Sequence, residues 1–422
     1  MLNFKKVAGK GEKRDPFVSI RVREFQFFLG ARLFFTLATQ MQGVIVGWQV
    51  YQFTKDPLSL GMIGLAEAVP FLCIALFAGH VADIIERRKI ILIASSAFAL
   101  ASFTLFYFTL NISSALSLYG TIPIYFVIFV TGLARGFLGP SIFAFLSQLV
   151  PRELYPNAST WNSTIWQAGA VIGPAIGGLL YGICGITVSY FLCFLLILLS
   201  VFLILFIRAK PLAPKEKTES LFTSLSAGIK FVFSSQVILG ALSLDLFAVF
   251  FGGAVSLLPI FADQVLHTGP QGLGLLRAAP SFGAVTAAII MAYKPLTINA
   301  GRNLFFSVSA FGLCMIVFAL SANFYLSIFI LALSGAFDNV SVVIRSTVLQ
   351  LTTPDNMRGR VSSVNSVFIG SSNEIGEFES GVAAKLLGLI PSVIFGGTMT
   401  LIVVAVTGKL APKLRKLNLD SL

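Results

Sequence analysis

Residues 151–182 read PRELYPNASTWNSTIWQAGAVIGPAIGGLLYG, and a similar stretch begins again at Pro354. In both copies a charged turn follows one long apolar segment and precedes a second segment that is rich in small residues. The matching positions are Pro151 and Pro354, Ser159 and Ser362, Asn162 and Asn365, Ser163 and Ser366, Gly173 and Gly376, and Gly178 and Gly381. A repeat at half the chain length predicts two related halves, an organisation typical of membrane transporters and not of solenoids built from short units.

The composition of the chain excludes a soluble protein. Of its 422 residues, 56% are hydrophobic and 11% are charged, whereas soluble domains are about 25% charged. At about 20 apolar residues per bilayer crossing, the sequence predicts twelve spans, approximately 25–53, 58–82, 90–110, 122–149, 158–182, 186–207, 236–261, 272–292, 304–321, 324–350, 362–387 and 391–408. Backbone groups in hydrocarbon pair only within helices or closed barrels, and alternating strands are absent. We therefore predict an all-α polytopic membrane protein with two pseudo-symmetric six-helix bundles.

The positive charge of the chain reports its orientation. The net charge is +12, and 24 of the 30 Lys and Arg residues fall in tails and loops on one side of the twelve predicted spans. Because basic loops stay in the cytoplasm, we expect a multi-pass protein of the bacterial inner membrane with both termini cytoplasmic. This placement argues against nucleic-acid binding. The predicted domains are the N-terminal tail 1–24, the first bundle 25–207, a cytoplasmic linker 208–235, the second bundle 236–408 and the C-terminal tail 409–422.

The sequence carries no pattern for a metal, a cofactor or ATP. Three of the four Cys residues fall inside predicted spans and Cys184 falls between two of them, without a C-x-x-C pair, and the two His residues fall near opposite ends of spans. No G-x-x-x-x-G-K-[ST] phosphate loop occurs. We therefore expect no bound metal or cofactor, and any energy for transport must come from an ion gradient or from the gradient of the substrate itself.

The loop after the second span carries a partial motif. Residues 79–89 read GHVADIIERRK, which resembles the signature G-x-x-x-D-R-x-G-R-[RK] between the second and third helices of the major facilitator superfamily. Gly79, Asp83, Arg87 and Arg88 match that signature, whereas Ile84 and Glu86 replace its first Arg and its second Gly. The resemblance implies the twelve-helix fold and a gating role for Asp83 and Arg88. The alternative is a short basic loop that only fixes topology.

The fifth span carries a second motif of that superfamily. Its small residues follow the pattern G-x-x-x-G-P-x-x-G-G, which resembles the signature of drug antiporters; they are Gly169, Gly173, Pro174, Gly177 and Gly178. Such a pattern gives a bend at the proline and a smooth face on which another helix packs or slides, and plain packing is the alternative reading. The stretch 242–381 also resembles the drug-antiporter-like branch that includes bacterial siderophore exporters. The resemblance implies export.

Charged residues at hydrocarbon depth in the predicted spans mark the candidate site. They are Arg32, Glu67, Arg135, Asp245, Arg277, Asp338, Arg345, Glu374, Glu377 and Glu379. A charge at the bilayer centre costs about 2.5–3.5 kcal/mol even on a lenient scale, so these residues need a polar interior. The predicted proton-coupling candidates are Asp245, Asp338, Glu374 and Glu377. The predicted cavity residues are Gln40, Glu67, Arg135, Asn162, Arg345 and Asn365.

The pairing of these charges stays open at the level of sequence. The repeat aligns Arg135 with Asp338, so the two side chains are candidates to face each other across the pathway. Asp338 and Arg345 also share a helix face. Glu374 and Glu377 form a paired carboxylate site able to hold a proton near neutral pH. The alternative for all of them is a structural role in holding helices together.

These observations predict a secondary active transporter that works by alternating access. The leading expectation is export of a bulky amphipathic compound, first a siderophore and otherwise a drug or macrolide, against proton entry. A proton-coupled importer of the same fold is the near alternative. A polytopic membrane enzyme is remote, since no nucleophile, base or metal constellation is present. We expect the partners to be the substrate, protons and the bilayer, and the protein to be a monomer.

Overall fold

The computed structural model describes residues 15–110, 112–210, 221–294, 298–354 and 357–418. At several helix positions, including Gly79 and Asp83, the side chains lie outside this description. Within it the chain is helical and forms no strand. The long helices are α1 (Arg23–Thr54), α2 (Pro57–Ile84), α3 (Arg87–Phe108), α4 (Ile122–Leu149), α5 and α6 (together Tyr155–Leu205), α7 (Gln236–Gly252), α8 (Gly269–Tyr293), α9 (Ala300–Leu320), α10 (Phe324–Thr352), α11 (Arg358–Leu387) and α12 (Leu389–Leu410).

These helices confirm the predicted fold of twelve membrane spans. Among the described residues, ten continuous helical runs are long and apolar enough to cross a membrane. One of them, Tyr155–Leu205, contains the non-helical residue Gly185 and therefore consists of two spans, 155–184 and 186–205. Helix α11 completes the twelve, and its acidic residues lower its hydropathy. Helix α7 continues as far as Val265 through short 3₁₀, α and π segments that follow Gly253.

A glycine connects the last two helices of each half. Gly185 joins α5 to α6 with φ +80°, and Gly388 joins α11 to α12 with φ +91°. Positive φ is unfavourable for residues with a Cβ atom, so the same residue type makes the same joint in both halves. At the start of α2, Asp56 accepts a hydrogen bond from the Leu58 backbone N–H at 3.3 Å, and Pro57 occupies the first turn. Both features favour a helix start at this point.

The glycine face of α5 packs against α1. A Cβ atom added to Gly173 would lie 2.7 Å from Cβ of Gln40, and one added to Gly177 would lie 2.8 Å from Cα of Met41. The same construction at Gly169 meets Thr36 at 2.7 Å. The two helices therefore approach at backbone distance, as small residues allow in membrane helices.

Two further glycine contacts join the halves at one end of the molecule. Gly178 of α5 lies against Gly274 of α8, where an added Cβ would meet Cα at 2.7 Å. Gly381 of α11 lies against Gly61 of α2, and there the distance would be 2.8 Å. Since Gly178 and Gly381 are equivalent positions of the repeat, the same contact closes both sides of the interface between the halves.

At the opposite end, short segments cover the first turns of α5 and α11. Asn157 Nδ2 and Trp161 Nε1 each donate a hydrogen bond to the Pro16 carbonyl at 2.9 Å. The predicted linker contains a helix, Leu221–Ser234, that packs on α11 with Gly228 against the Arg360 backbone. Linker residues 211–220 lie outside the described part of the chain.

Candidate functional site

A cavity of about 1180 Å³ lies between the two halves. Both halves line it, and its lining reaches Leu146 near the end of α4 and Tyr155 at the start of α5. The contacts of Gly178 and Gly381 close the other end. The cavity is therefore accessible from the side at which α5 and α11 begin.

A shared arginine links the halves within this cavity. Arg135 on α4 donates through Nη1 to Oε1 of Glu374 on α11 at 2.7 Å, and the same nitrogen donates to Oε1 of Glu67 on α2. Its guanidinium also lies over the Phe71 ring, 5.6 Å from the centroid. Only 9% of the Glu374 side chain is exposed. Arg135 thus pairs with one carboxylate from each half at once.

A second arginine and a third carboxylate lie beside this cluster. Arg277 on α8 donates through Nη1 to the Gly43 carbonyl of α1 at 2.7 Å. Glu377, one turn after Glu374, lines the same cavity. A Cβ atom on Gly64 would lie 2.7 Å from Cβ of Glu377, so this glycine lets α11 approach α2. Three carboxylates and two guanidinium groups therefore share the deep end of the cavity.

The buried charges of α7 and α10 form neither of the two pairs considered from the sequence, Arg135 with Asp338 and Asp338 with Arg345. Arg345 on α10 forms an ion pair with Asp245 on α7, and the two residues are 3% and 6% exposed. This pair lies outside the cavity lining. Asp338 lines the cavity and has no hydrogen bond or ion pair with any described residue. Arg135 and Asp338 thus share the cavity without pairing.

The other predicted cavity residues divide into two groups. Gln40 and Asn162 line the cavity, whereas Asn365 is absent from its lining. Two further glutamines of α1 make hydrogen bonds inside the first half: Gln42 accepts from Ser102, and Gln49 accepts from the Tyr190 hydroxyl at 2.5 Å.

The cavity lining also includes Arg32 and Arg277, which the sequence does not identify as cavity residues. The sequence identifies both only as charges within apolar helices. That signal shows that a residue needs a polar environment, and it gives no information about which cavity or partner supplies it.

The predicted gating loop is described in part. Arg88 donates to the Leu205 carbonyl at 2.9 Å and so neutralises the end of α6, where a helix favours positive charge. Arg87 lies beside it at the start of α3, and Lys89 pairs with Glu86 at 3.3 Å. The Gly79 and Asp83 side chains lie outside the described part, so the gating role stays a prediction.

Twelve membrane helices around a cavity shared by two similar halves define a membrane transporter. The sequence agrees with this class, because the family model described as "transmembrane secretion effector" matches residues 15–421. The chain belongs to this family of the major facilitator superfamily.

Relatives agree with this assignment, and solved structures share the fold. The enterobactin exporter EntS of Escherichia coli O1:K1 is 26% identical over 339 residues, which cover 79% of each chain. The enterobactin exporter of Shigella flexneri is also 26% identical and is covered over 78% of its length. A solved D-xylose–proton symporter has a TM-score of 0.71 at 15% identity, with 96% of this chain and 100% of that chain covered. An inward-facing bacterial homologue of the lysosomal transporter Spinster has a TM-score of 0.68 at 15% identity, with 93% and 96% covered.

Proposed function

We propose that this protein exports a bulky amphipathic small molecule in exchange for protons. The observation that carries the proposal is the Arg135 guanidinium shared between Glu67 of one half and Glu374 of the other. Three carboxylates share two arginines at this position, so one carboxylate lacks a positive partner of its own. A proton can take that place, since two carboxylates close together do not both stay ionised readily in a buried site.

The geometry suggests how proton binding and helix movement are linked. To open the closed end, α11 has to move away from α2, and this movement separates Glu374 from Glu67 and Arg135. Glu374 then lacks its positive partner inside the membrane, and binding a proton removes the cost of the bare charge. When the halves return to the arrangement seen here, Arg135 approaches Glu374 again and displaces the proton toward the open cavity.

The substrate is proposed from the cavity and from the relatives. A cavity of about 1180 Å³ exceeds the range of about 300–1,000 Å³ usual for small-molecule sites, which supports a bulky compound. Apolar and charged side chains both line it, which supports an amphipathic one. Since the similar proteins are named enterobactin exporters, a siderophore is the first candidate and a macrolide-like drug is the second.

The orientation follows from the charge pattern. We place both termini in the cytoplasm, with bundles at 25–207 and 236–408 and a monomer as the working unit. The cavity then opens to the cytoplasm, as required to load a compound for export. Asp83 and Arg88 lie at this inner face, where we propose that they help to hold the alternative, outward-open state.

The experiment is transport by the purified protein in liposomes with an imposed pH gradient. A catecholate siderophore and a macrolide are offered in parallel, on the side that corresponds to the cytoplasm. We expect the gradient to drive uphill movement of one of them. Glu374→Gln should lower the rate of gradient-driven transport tenfold or more, while substrate exchange without a gradient continues.

The matched control is Glu379→Gln, the same substitution on the same helix at a residue outside the cavity lining. This variant should keep gradient-driven transport close to the original rate. Transport of neither compound, or transport indifferent to both the gradient and Glu374→Gln, would contradict the proposal. Uphill movement into the compartment that corresponds to the cytoplasm would identify an importer instead.

A further inference from the structure

Among the described residues, one arginine of the cavity has neither a hydrogen bond nor an ion pair. Arg32 on α1 lines the cavity, and within the described part of the chain it forms no hydrogen bond or ion pair; its Nε is buried and without a partner. Arg135 is occupied by two carboxylates, and Arg277 is bonded to a backbone carbonyl. Among the described residues, Arg32 is thus the cavity arginine whose N–H donors have no partner.

Two neighbouring side chains also have a buried polar atom without a hydrogen-bond partner among the described residues. Thr36 lies one helical turn from Arg32 on the same face of α1, and its buried Oγ1 has no partner among the described residues. Asn162 of α5 lines the cavity, and its buried Oδ1 likewise has no partner in the described part of the chain. The contact between Thr36 and Gly169 fixes the level of α1 against α5. At about 1.5 Å per residue, Arg32 and Asn162 therefore lie within about one helical turn of the same depth.

Buried polar atoms without partners are rare in folded proteins and call for an explanation. Three of them belong to residues that line the same cavity here. The lining of that cavity also includes five aromatic rings: Phe35, Phe98, Phe143, Tyr155 and Trp166. A ligand that fits this region has an oxyanion for the two donors, a hydroxyl or N–H group for Asn162, and a flat apolar body for the rings.

We propose that Arg32, Thr36 and Asn162 form a binding subsite for an aromatic oxyanion that carries an adjacent hydrogen-bond donor. Arg32 and Thr36 donate to the anionic oxygens, and Asn162 accepts from the neighbouring donor. The subsite lies near the inner mouth and is separate from the Arg135 cluster that carries the proton. It deepens the proposed function and rests on it, since it assumes that this cavity holds the transported compound.

The test is equilibrium dialysis of radiolabelled salicylate and salicylamide with the purified full chain in detergent. The two probes share a ring and a hydroxyl group, and only salicylate is an anion. The original protein should bind salicylate at least tenfold more tightly than salicylamide, because charge-assisted hydrogen bonds are worth more than neutral ones. Arg32→Gln should abolish that preference, and Arg32→Lys should keep part of it.

Asn162→Asp is a second, nearly isosteric variant that remains informative if Arg32→Gln does not fold. The added carboxylate should repel salicylate and weaken its binding by about tenfold, while salicylamide binding changes less than about threefold. The control is Arg302→Gln, which removes the same charge at an exposed residue of α9 and should leave both affinities unchanged.

Three results would overturn the subsite: no binding of salicylate, no preference for salicylate over salicylamide, or an unchanged preference in Arg32→Gln and in Asn162→Asp. The assay contains no pH gradient, so it is independent of proton coupling. If salicylate binding depends on Arg32 while liposomes show no gradient-driven transport, the antiport proposal fails and the subsite stands.

Discussion

The two copies of the repeat make the same glycine contacts and differ in their charges. Gly173 of α5 packs on α1, and the equivalent Gly376 of α11 packs on the Phe250 backbone of α7, where an added Cβ would lie 2.8 Å from the carbonyl oxygen. Gly178 and Gly381 make the equivalent contacts between the halves. Helix α5, however, has no charged residue in 155–184, whereas α11 carries three Glu residues within the membrane.

The same difference extends to the halves as a whole. Two buried glutamines of the first half pair with neutral groups, as Gln42 does with Ser102. The second half buries an ion pair, Asp245 with Arg345. The duplicated fold therefore keeps the surfaces on which helices approach and move, while seven of the ten charged residues in the candidate site lie in the second half. Packing and charge have separate roles in this molecule, and this separation is testable.

The largest effect is expected at the buried ion pair. Asp245→Asn leaves the Arg345 guanidinium buried without a negative partner, and breaking such a pair costs about 3–5 kcal/mol of unfolding free energy. The matched change in the first half is Gln42→Leu, which leaves the Ser102 hydroxyl unpaired and should cost about 1–3 kcal/mol. The measurement is unfolding of each purified variant in mixed detergent micelles.

A double substitution, Asp245→Leu with Arg345→Met, separates stability from proton coupling. Replacing both charges by apolar groups is often neutral or stabilising, so stability should return toward the original value. If gradient-driven transport returns as well, Asp245 has no coupling role. An equal loss of stability in Asp245→Asn and Gln42→Leu would show that the buried ion pair contributes no more to stability than the neutral pair does.

The sequence predicted the helices well because membrane burial leaves a strong, local signal. Each predicted span corresponds to a helix, and the ends differ by a few residues. The repeat also predicted equivalent roles for Gly178 and Gly381, since a glycine in a membrane helix allows close backbone approach wherever it occurs. The fold and its internal symmetry could therefore be predicted without the structure.

The partners of the charges could not be predicted in the same way. Helical periodicity shows which residues share a face of one helix, and it says nothing about how the neighbouring helix is rotated. Arg135 was aligned with Asp338 by the repeat, yet it pairs with Glu67 and Glu374 on two other helices. Those contacts depend on how α2, α4 and α11 meet, which is information about packing between distant parts of the chain.

An intermediate effect is expected at the glycine contacts between the halves. Gly178→Ala and Gly381→Ala each introduce a Cβ atom within 3.0 Å of backbone atoms of the facing helix, and overpacking of this kind costs about 1–3 kcal/mol. Since the cost falls on the closed arrangement, each variant should shift the protein toward the state open at that end, by about fivefold to more than a hundredfold.

Distances between spin labels across the outer ends of the halves, measured by pulsed electron paramagnetic resonance, report this shift. The control is Gly139→Ala, where an added Cβ has no atom within 4 Å, and its distance distribution should match that of the original protein. The two contact variants should behave alike, because the repeat places them at equivalent positions. A shift in only one of them would show that the two copies are mechanically unequal.

The smallest effect is expected at the two ion pairs that join the halves at the closed end. Lys55 Nζ lies 3.0 Å from Asp263 Oδ2, and Lys385 Nζ lies 3.1 Å from Asp56 Oδ2, with each Lys side chain about half exposed. Exposed pairs contribute about 0.2–1 kcal/mol and weaken with salt. Removing either one should therefore change the population of the closed state by less than about fivefold.

The two pairs are nevertheless unequal, and this difference sharpens the comparison between the halves. Lys55 also lies over the Tyr51 ring at 4.4 Å, and the buried Tyr51 hydroxyl donates to the same Asp263 oxygen at 2.8 Å, whereas Lys385 lacks such support among the described residues.

Lys55→Gln should thus open the closed end more than Lys385→Gln does, in the same label-distance measurement at low salt. At about 1 M salt, where the screening length falls to about 3 Å, the effect of Lys385→Gln should disappear and part of the Lys55→Gln effect should remain, because the cation–π contact is short-ranged. Equal effects of both substitutions at low and high salt would show that the Tyr51 contacts add nothing to this closure.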